Sequence, residues 1–276
     1  TWELLDRFIA EGHLPNLGRL REEGAWGALQ SVIPPMTATA WTAFMTGKGP
    51  GKHGIYDWTE PVPGSYLYHP IDSTRVQSQT LFEKLSQWGL RVASVNLPLT
   101  WPARPINGIA VGDMLTPSKE TPGFTWPPEF KPTLDQWIPD YQIDTHLCEQ
   151  ESDILPFLDR LTKMIDRRGQ LVRRLMDQEV WDLFCVVWVE MDRMQHCLWH
   201  IFDPTHPHHN PLLAEKYLEP ILGVYRLLDV RIGEMLERLP PQTNVLFLSD
   251  HGFGYCRDAE YHPFDRRSDD SVGARR

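Results

Sequence analysis

Two short segments place a carboxylate and an imidazole where they could grip one ligand. Asp192 and His196 stand four residues apart, after the apolar run Leu183-Phe184-Cys185-Val186-Val187-Trp188-Val189. Asp250 and His251 are adjacent, after Val245-Leu246-Phe247-Leu248, and Gly252 lets the chain turn away sharply. Carboxylate oxygen and imidazole nitrogen are the ligands of zinc-type centres. If the chain turns helical after the first run, Asp192 and His196 share a face and could bind one ion. Alone, each pattern reads as readily as a helix cap or polar loop. Together, each directly after a predicted core strand, they point to a metal-dependent hydrolase. In open α/β sheets, ligands bind outside the carboxyl ends of the strands.

Thr37 is the third candidate. It follows the break Pro34-Pro35-Met36 and opens a predicted helix, Thr37 to Met45, that stops near Gly47. A hydroxyl there is either a plain N-cap, a role Thr39 could also fill, or a group facing a bound anion. A coordinated metal would lower the hydroxyl's pKa and make it a nucleophile. Spacing leaves both open.

The elements that must position these residues follow from periodicity. Residues 2–11 and 15–23 have helical spacing, with Pro15 suited to a first turn and Gly24 to a stop. Gly27 to Ile33 reads as a short strand, Ser78 to Trp88 as an amphipathic helix and Arg91 to Asn96 as a strand. The Pro/Trp-rich stretch from about Pro98 to Tyr141 shows few regular signals, and 59–150 is expected to contain an insertion or lid. Long helices, Asp153 to Gln178 and Pro211 to Leu239, each feed an expected strand, at 183–189 and 245–248. Strands alternating with helices imply an α/β fold: a mostly parallel sheet with helices on both faces, in a single domain.

The 276 residues carry a net charge of −10, which repels a nucleic-acid backbone and excludes broad nucleic-acid binding. A small-molecule phosphate substrate remains open, because a metal can dominate the local field. Cys148, Cys185, Cys197 and Cys256 form no CxxC pair, which suggests reduced thiols and a cytoplasmic setting. The apolar runs are too short to span a bilayer, and the polar residues 266–276 read as a tail. The histidines at 200, 206, 208 and 209 read as a solvated Pro/His loop, and Trp101, Trp126 and Trp137 as packing against the core. Arg167, Arg168, Arg173 and Arg174 read as a solvated helix face. Lys52 and His53 could reach a phosphate.

The run Pro34-Pro35-Met36-Thr37-Ala38-Thr39-Ala40-Trp41-Thr42-Ala43-Phe44-Met45-Thr46-Gly47, continuing Pro50-Gly51-Lys52-His53-Gly54-Ile55, resembles the nucleophile segment of the type I phosphodiesterase/nucleotide pyrophosphatases, of the alkaline phosphatase superfamily. Asp192-x-x-x-His196 and Ser249-Asp250-His251-Gly252 resemble that family's two later metal motifs, in the same order. Asn96-Leu97-Pro98-Leu99-Thr100-Trp101-Pro102 and Leu115-Thr116-Pro117-Ser118 are similar to a prokaryotic branch.

The resemblance implies two divalent ions of the zinc type. Thr37 would be the nucleophile and would ligate one ion with Asp250 and His251; Asp192 and His196 would hold the other. It implies in-line attack on phosphorus, a phosphothreonine intermediate and its hydrolysis by water. The family pattern also has an Asp-Gly strand ahead of the helix that begins here at Thr1, and a late His beyond the Ser-Asp-His-Gly motif. His262 is the only later histidine and is not expected to replace it. The chain is therefore expected to be incomplete at both ends. Ala40 stands where nucleotide-cleaving members carry Asn, so nucleotide specificity is not implied. The alternatives are a non-catalytic ligand-binding member or fragment, and phosphomonoester, phosphonate or phosphotransfer chemistry.

Overall fold

The computed structural model describes residues 1–254; Cys256, His262 and the polar tail lie outside them. Helices α1 (Trp2–Ala10) and α2 (Pro15–Glu23) follow the predicted spacing, with Pro15 in the first turn of α2. Asp229, far along the chain, caps α2 by accepting the Asn16 and Leu17 amides at 3.0 and 2.9 Å. Helix α3 (Thr37–Thr46) is threonine-rich yet largely buried. Its Thr42 and Thr46 hydroxyls donate to the carbonyls of Ala38 and Thr42, each at 2.7 Å, so burial strands neither. Gly47 closes the helix in the left-handed conformation, φ 65°.

The short helix α4 (Pro50–His53) leads to an antiparallel hairpin, β1 (Thr59–Pro61) and β2 (Tyr68–Pro70). Helix α5 (Leu81–Gln87) starts from a reciprocal capping box between Thr80 and Glu83. Then come β3 (Val92–Val95), β4 (Gly108–Val111), β5 (Thr125–Trp126), α6 (Phe130–Trp137), α7 (Ile154–Gln178), β6 (Leu183–Val186), α8 (Glu190–Phe202) and α9 (Pro211–Leu236).

The main sheet runs in the order β5-β4-β3-β6, parallel except for the antiparallel β4/β5 pair. Alternation along β6 shows both faces covered. Leu183 and Cys185 pack with α3 and α5 on one side, while Phe184 and Val186 pack with α6 and α7 on the other. A further core joins α1, α2, α7, α8 and α9. The α/β class and the mainly parallel sheet are as the sequence implies.

Three local expectations are corrected. Residues 27–33 form no strand and lie largely exposed; the Trp2 indole N–H donates to the Gly27 carbonyl at 3.2 Å and the Ser31 hydroxyl to the Asp250 carbonyl at 2.5 Å. Residues 245–248 also form no strand, and Val245, Leu246 and Phe247 are 46%, 76% and 50% exposed. Their β-rich composition asks for a ladder, but a strand needs a neighbouring edge, and among the described residues none pairs with them. The 98–141 stretch holds β4, β5 and α6, built on short apolar runs such as Gly108–Val111 that the surrounding Pro and Trp residues mask. No helix among the described residues is long and apolar enough to cross a membrane.

Candidate active site

All five predicted residues come together at the carboxyl end of β6. Strand β6 ends at Val186, and α8 starts at Glu190, so Asp192 and His196 fall in its first two turns. There they face each other, His196 Nε2 lying 3.3 Å from Asp192 Oδ1. The helical turn assumed for this motif is therefore present. Asp250 and His251 arrive from the unpaired segment and turn in at residues 249–252. His251 Nε2 lies 3.8 Å from Asp192 Oδ1 and 3.6 Å from Asp250 Oδ2. The two motifs thus touch through His251 and Asp192, across 59 positions of sequence (251 − 192).

Thr37 completes the group. It occupies the first position of α3; Met36 is the N-cap, so neither Thr37 nor Thr39 serves as the cap. Thr39 is buried instead, its hydroxyl donating to the Tyr56 carbonyl at 3.3 Å. The Thr37 hydroxyl lies 3.1 Å from His251 Nε2. His251 Nδ1 lies 2.9 Å from the Gly252 carbonyl, which can only accept, so the proton sits on Nδ1. In the neutral form of the ring, Nε2 presents a lone pair to the Thr37 proton or to a cation.

The electrostatics separate the two aspartates. Burial pushes the Asp192 carboxyl up, but His196, and then Arg193 and His251, outweigh it and hold it below the usual carboxylate range. Burial raises the Asp250 carboxyl; His251 opposes this and the nearby Asp192 charge adds to it. Asp250 Oδ2 is buried with no hydrogen-bond partner among the described residues. A buried unpaired carboxylate oxygen is costly unless a cation or donor meets it.

These donors have the chemistry for a hard or borderline divalent cation: two carboxylates, two imidazoles and a hydroxyl. The contacts run as a chain from His196 to Asp192 to His251 to Asp250. Among the described residues no group of three or more His, Cys, Asp or Glu side chains is drawn around a point that an ion would take. A cavity of about 530 Å³ opens beside the cluster, with Thr37, Asp192, Asp250 and His251 at its wall and β6 and residues 244–248 along its length.

Other expected residues fall elsewhere. His53 is buried, its Nδ1 accepting the Ile55 amide at 3.1 Å, so that ring serves its own turn. Trp126 donates its indole N–H to the Ile106 carbonyl at 2.9 Å, and Trp137 packs edge-on against Phe130, as the packing role requires. Around the His loop, His209 Nδ1 lies 2.8 Å from the His200 carbonyl. Cys148, Cys185 and Cys197 are free thiols, and the Cys148 amide donates to Cys197 Sγ at 3.3 Å.

Sequence reasoning missed two neighbours of the site. Phe253 sets its ring edge-on to His196 at 4.8 Å and 5.5 Å from His251, bridging the motifs; its place right after Asp250-His251-Gly252 was the available signal. Arg193 donates Nε and Nη2 to Asp144 at 2.9 and 2.5 Å, beside Asp192. Nothing in the spacing of Arg193 and Asp144 announces that pair.

A threonine at a helix start beside two Asp/His pairs, above a parallel sheet, is the arrangement the motifs anticipated. The family model for type I phosphodiesterase/nucleotide pyrophosphatase matches residues 1–269. The chain belongs to the type I phosphodiesterase/nucleotide pyrophosphatase family. Among curated proteins, none matches the sequence. Among solved structures, this phosphodiesterase-family chain is similar to phosphonoacetate hydrolase from Sinorhizobium meliloti 1021 in complex with phosphonoformate, with TM-score 0.51 and 20% identity. The match covers 85% of this chain and 50% of that one, so the chain spans half the length of that structure. The same enzyme in complex with phosphonoacetate matches with TM-score 0.49, 18% identity and the same coverage. At 20% identity the likeness speaks to the fold, an alkaline phosphatase-like α/β architecture.

Proposed function

We propose that this chain carries the catalytic machinery of a metal-dependent phosphoric ester hydrolase, with a small phosphodiester or pyrophosphate as substrate and Thr37 as nucleophile. The observation that carries the reading is the Thr37 hydroxyl at the start of α3, 3.1 Å from His251 Nε2 and in one cluster with Asp192, His196 and Asp250. Family membership supports the reaction class.

Free amides at a helix start favour an anion, so the first turn of α3 would orient the phosphoryl oxygens. Thr37 Oγ would form a bond to phosphorus as the bond to the leaving oxygen breaks. The Thr37 proton passes to solvent as Oγ attacks, and the departing alkoxide takes up a proton from solvent to leave as the alcohol. Water then attacks the phosphothreonine, releasing the phosphate product and restoring the hydroxyl. Asp192 and His196 would hold one divalent ion of the zinc type, and Thr37, Asp250 and His251 a second. Such ions supply Lewis-acid stabilisation of the charge on the attacking and leaving oxygens. Asp250 Oδ2, buried without a hydrogen bond and 3.6 Å from the His251 ring, favours that assignment.

The test is turnover of an aryl phosphodiester by the full chain with added zinc, beside an aryl phosphomonoester and phosphonoacetate. The diester should be hydrolysed best, and Thr37→Ala should lower kcat by roughly a thousandfold or more. Thr37→Ser should retain part of it, and acid quench should trap phosphate on residue 37. A Thr37→Ala variant as active as the parent, or no turnover of either ester, would overturn the proposal.

A further inference from the structure

Arg168 departs furthest from its expected place. The four other arginines of α7 reach its surface, but the Arg168 side chain is wholly buried, as is that of Glu190. The two are in direct contact, Arg168 Nη1 donating to Glu190 Oε1. Two more of its N–H groups are bonded, Nε donating to Asn96 Oδ1 at 2.9 Å and Nη2 to the Ile143 carbonyl at 3.1 Å, while Glu190 Oε2 has no hydrogen-bond partner among the described residues. The Tyr141 hydroxyl donates to the same Asn96 oxygen, and Asn96 Nδ2 donates to the Gly112 carbonyl at 2.6 Å. Asn96 directly follows β3 and holds the left-handed conformation, φ 57°. One planar fork therefore ties the carboxyl ends of β3 and β4, residues 141–143 and the middle of α7 to the first residue of α8.

That first residue, Glu190, lies two positions before Asp192 and six before His196. On the far side, Asp144 takes the Arg193 fork in two hydrogen bonds. Helix α8 is thus gripped on both sides of Asp192. Burial would by itself raise the Glu190 carboxyl and lower the Arg168 guanidinium; each group's opposite charge resists this. A guanidinium keeps its proton in a folded chain, and its charge against Glu190 Oε1 favours the carboxylate form there. Two buried charges are a poor way to gain stability: apolar residues of the same volume are often as stable or more so. What a bidentate-capable fork adds is direction, since its donors accept one arrangement of partners.

We propose that Arg168 and Glu190 are positioning residues for the Asp192/His196 pair, setting the rotation and depth of α8 so that Asp192 faces His251 and His196 faces Asp192. This rests on the functional reading above. In a helix, fixing the first residue fixes the heading of those two and six positions on. The pair touches neither Asp192 nor His196 and acts only through the backbone of α8.

The experiment compares the full chain with the double variant Arg168→Met/Glu190→Met, which keeps the core filled, and with Asp192→Asn. Zinc binding to the metal-free proteins is measured by calorimetry, with thermal midpoints alongside. The double variant should melt at or above the parent's midpoint yet bind zinc about 10- to 100-fold more weakly, the range found when the supports of metal ligands are lost. Its kcat on the aryl phosphodiester should fall while KM holds, and Asp192→Asn should also weaken zinc binding. If Asp192→Asn weakens zinc binding and the double variant does not, the positioning role is wrong and the functional reading stands. If Asp192→Asn has no effect, the ligand assignment fails, and amide hydrogen exchange decides the positioning role. Exchange of residues 190–196 in the metal-free double variant should then be at least about tenfold faster at unchanged global stability; equal exchange overturns it. If the double variant does not fold, Arg168→Lys, which keeps the charge and loses the fork, is read by the same criteria.

Discussion

Asp113 offers a test of how the site's surroundings handle charge. It lies just past β4 and is fully buried. Its carboxylate accepts the amides of Thr100 and Trp101 on Oδ2, at 2.6 and 2.9 Å, and of Leu115 on Oδ1 at 2.6 Å. It thereby holds the loop after β3 to the loop after β4. Burial pushes its pKa up from 3.8 to about 6, and the hydrogen bonds only partly offset this. The folded pKa is raised, so the stabilising contribution is complete below pH 3.8 and is lost as pH rises through about 6. A rise of about two pKa units is worth about 3 kcal/mol. Asp113→Asn abolishes the titration but turns its amide N–H₂ toward a backbone N–H, at a cost of roughly 1–3 kcal/mol. Urea unfolding of both proteins at acid and neutral pH cancels every other titrating group in the difference. The parent should be the more stable near pH 4, and its advantage should shrink by about 2.4 kcal/mol by pH 7, to near zero or a reversal of about 1 kcal/mol. A difference independent of pH would refute the argument. An advantage that grows with pH would show that the three amides outweigh burial.

Two further variants probe the scaffold. Asp229→Ala removes the acceptor of the Asn16 and Leu17 amides and of the Asn16 side chain, and should cost about 2–4 kcal/mol, seen as a lower urea midpoint at unchanged slope; a midpoint within error of the parent would deny the cap its role. Gly108→Ala puts a Cβ 1.8 Å from the Val92 carbonyl oxygen at φ 156°, where β3 and β4 begin to pair. The backbone must move, so a loss above about 3 kcal/mol in thermal or urea unfolding is expected, and a protein melting like the parent would show the approach is not tight.

Much of the helical scaffold was legible because its signals are local. Apolar spacing, Pro15, Gly47 and the Pro211 start all act within a few residues, and the helices begin and end near them. Thr37 at a helix start was legible for the same reason. Strands were less so. The runs Leu183–Val186 and 245–248 are both rich in β-formers, yet among the described residues only the first is hydrogen-bonded to a neighbouring strand, β3. Arg168 misled because a charged residue on a helix of ordinary arginine content reads as solvated; its burial depends on Asn96, Ile143 and Glu190 lying 22 to 72 positions away.

The sequence alone determined which chemistry is at hand: a hydroxyl at a helix start and two Asp/His pairs, each at the end of an apolar run. Residue type and short-range spacing decide that, because they set what a side chain can donate or accept. Only the tertiary structure decided that these groups meet. Thr37 and His251 are brought to 3.1 Å across 214 positions, and Asp192 is set between His196 and His251. Such closeness depends on packing, which sums weak contacts over the whole chain and leaves no mark in any one segment. The grip of Arg168 and Glu190 on α8 is of that second kind: two charges whose meaning comes only from the interior in which the fold has placed them.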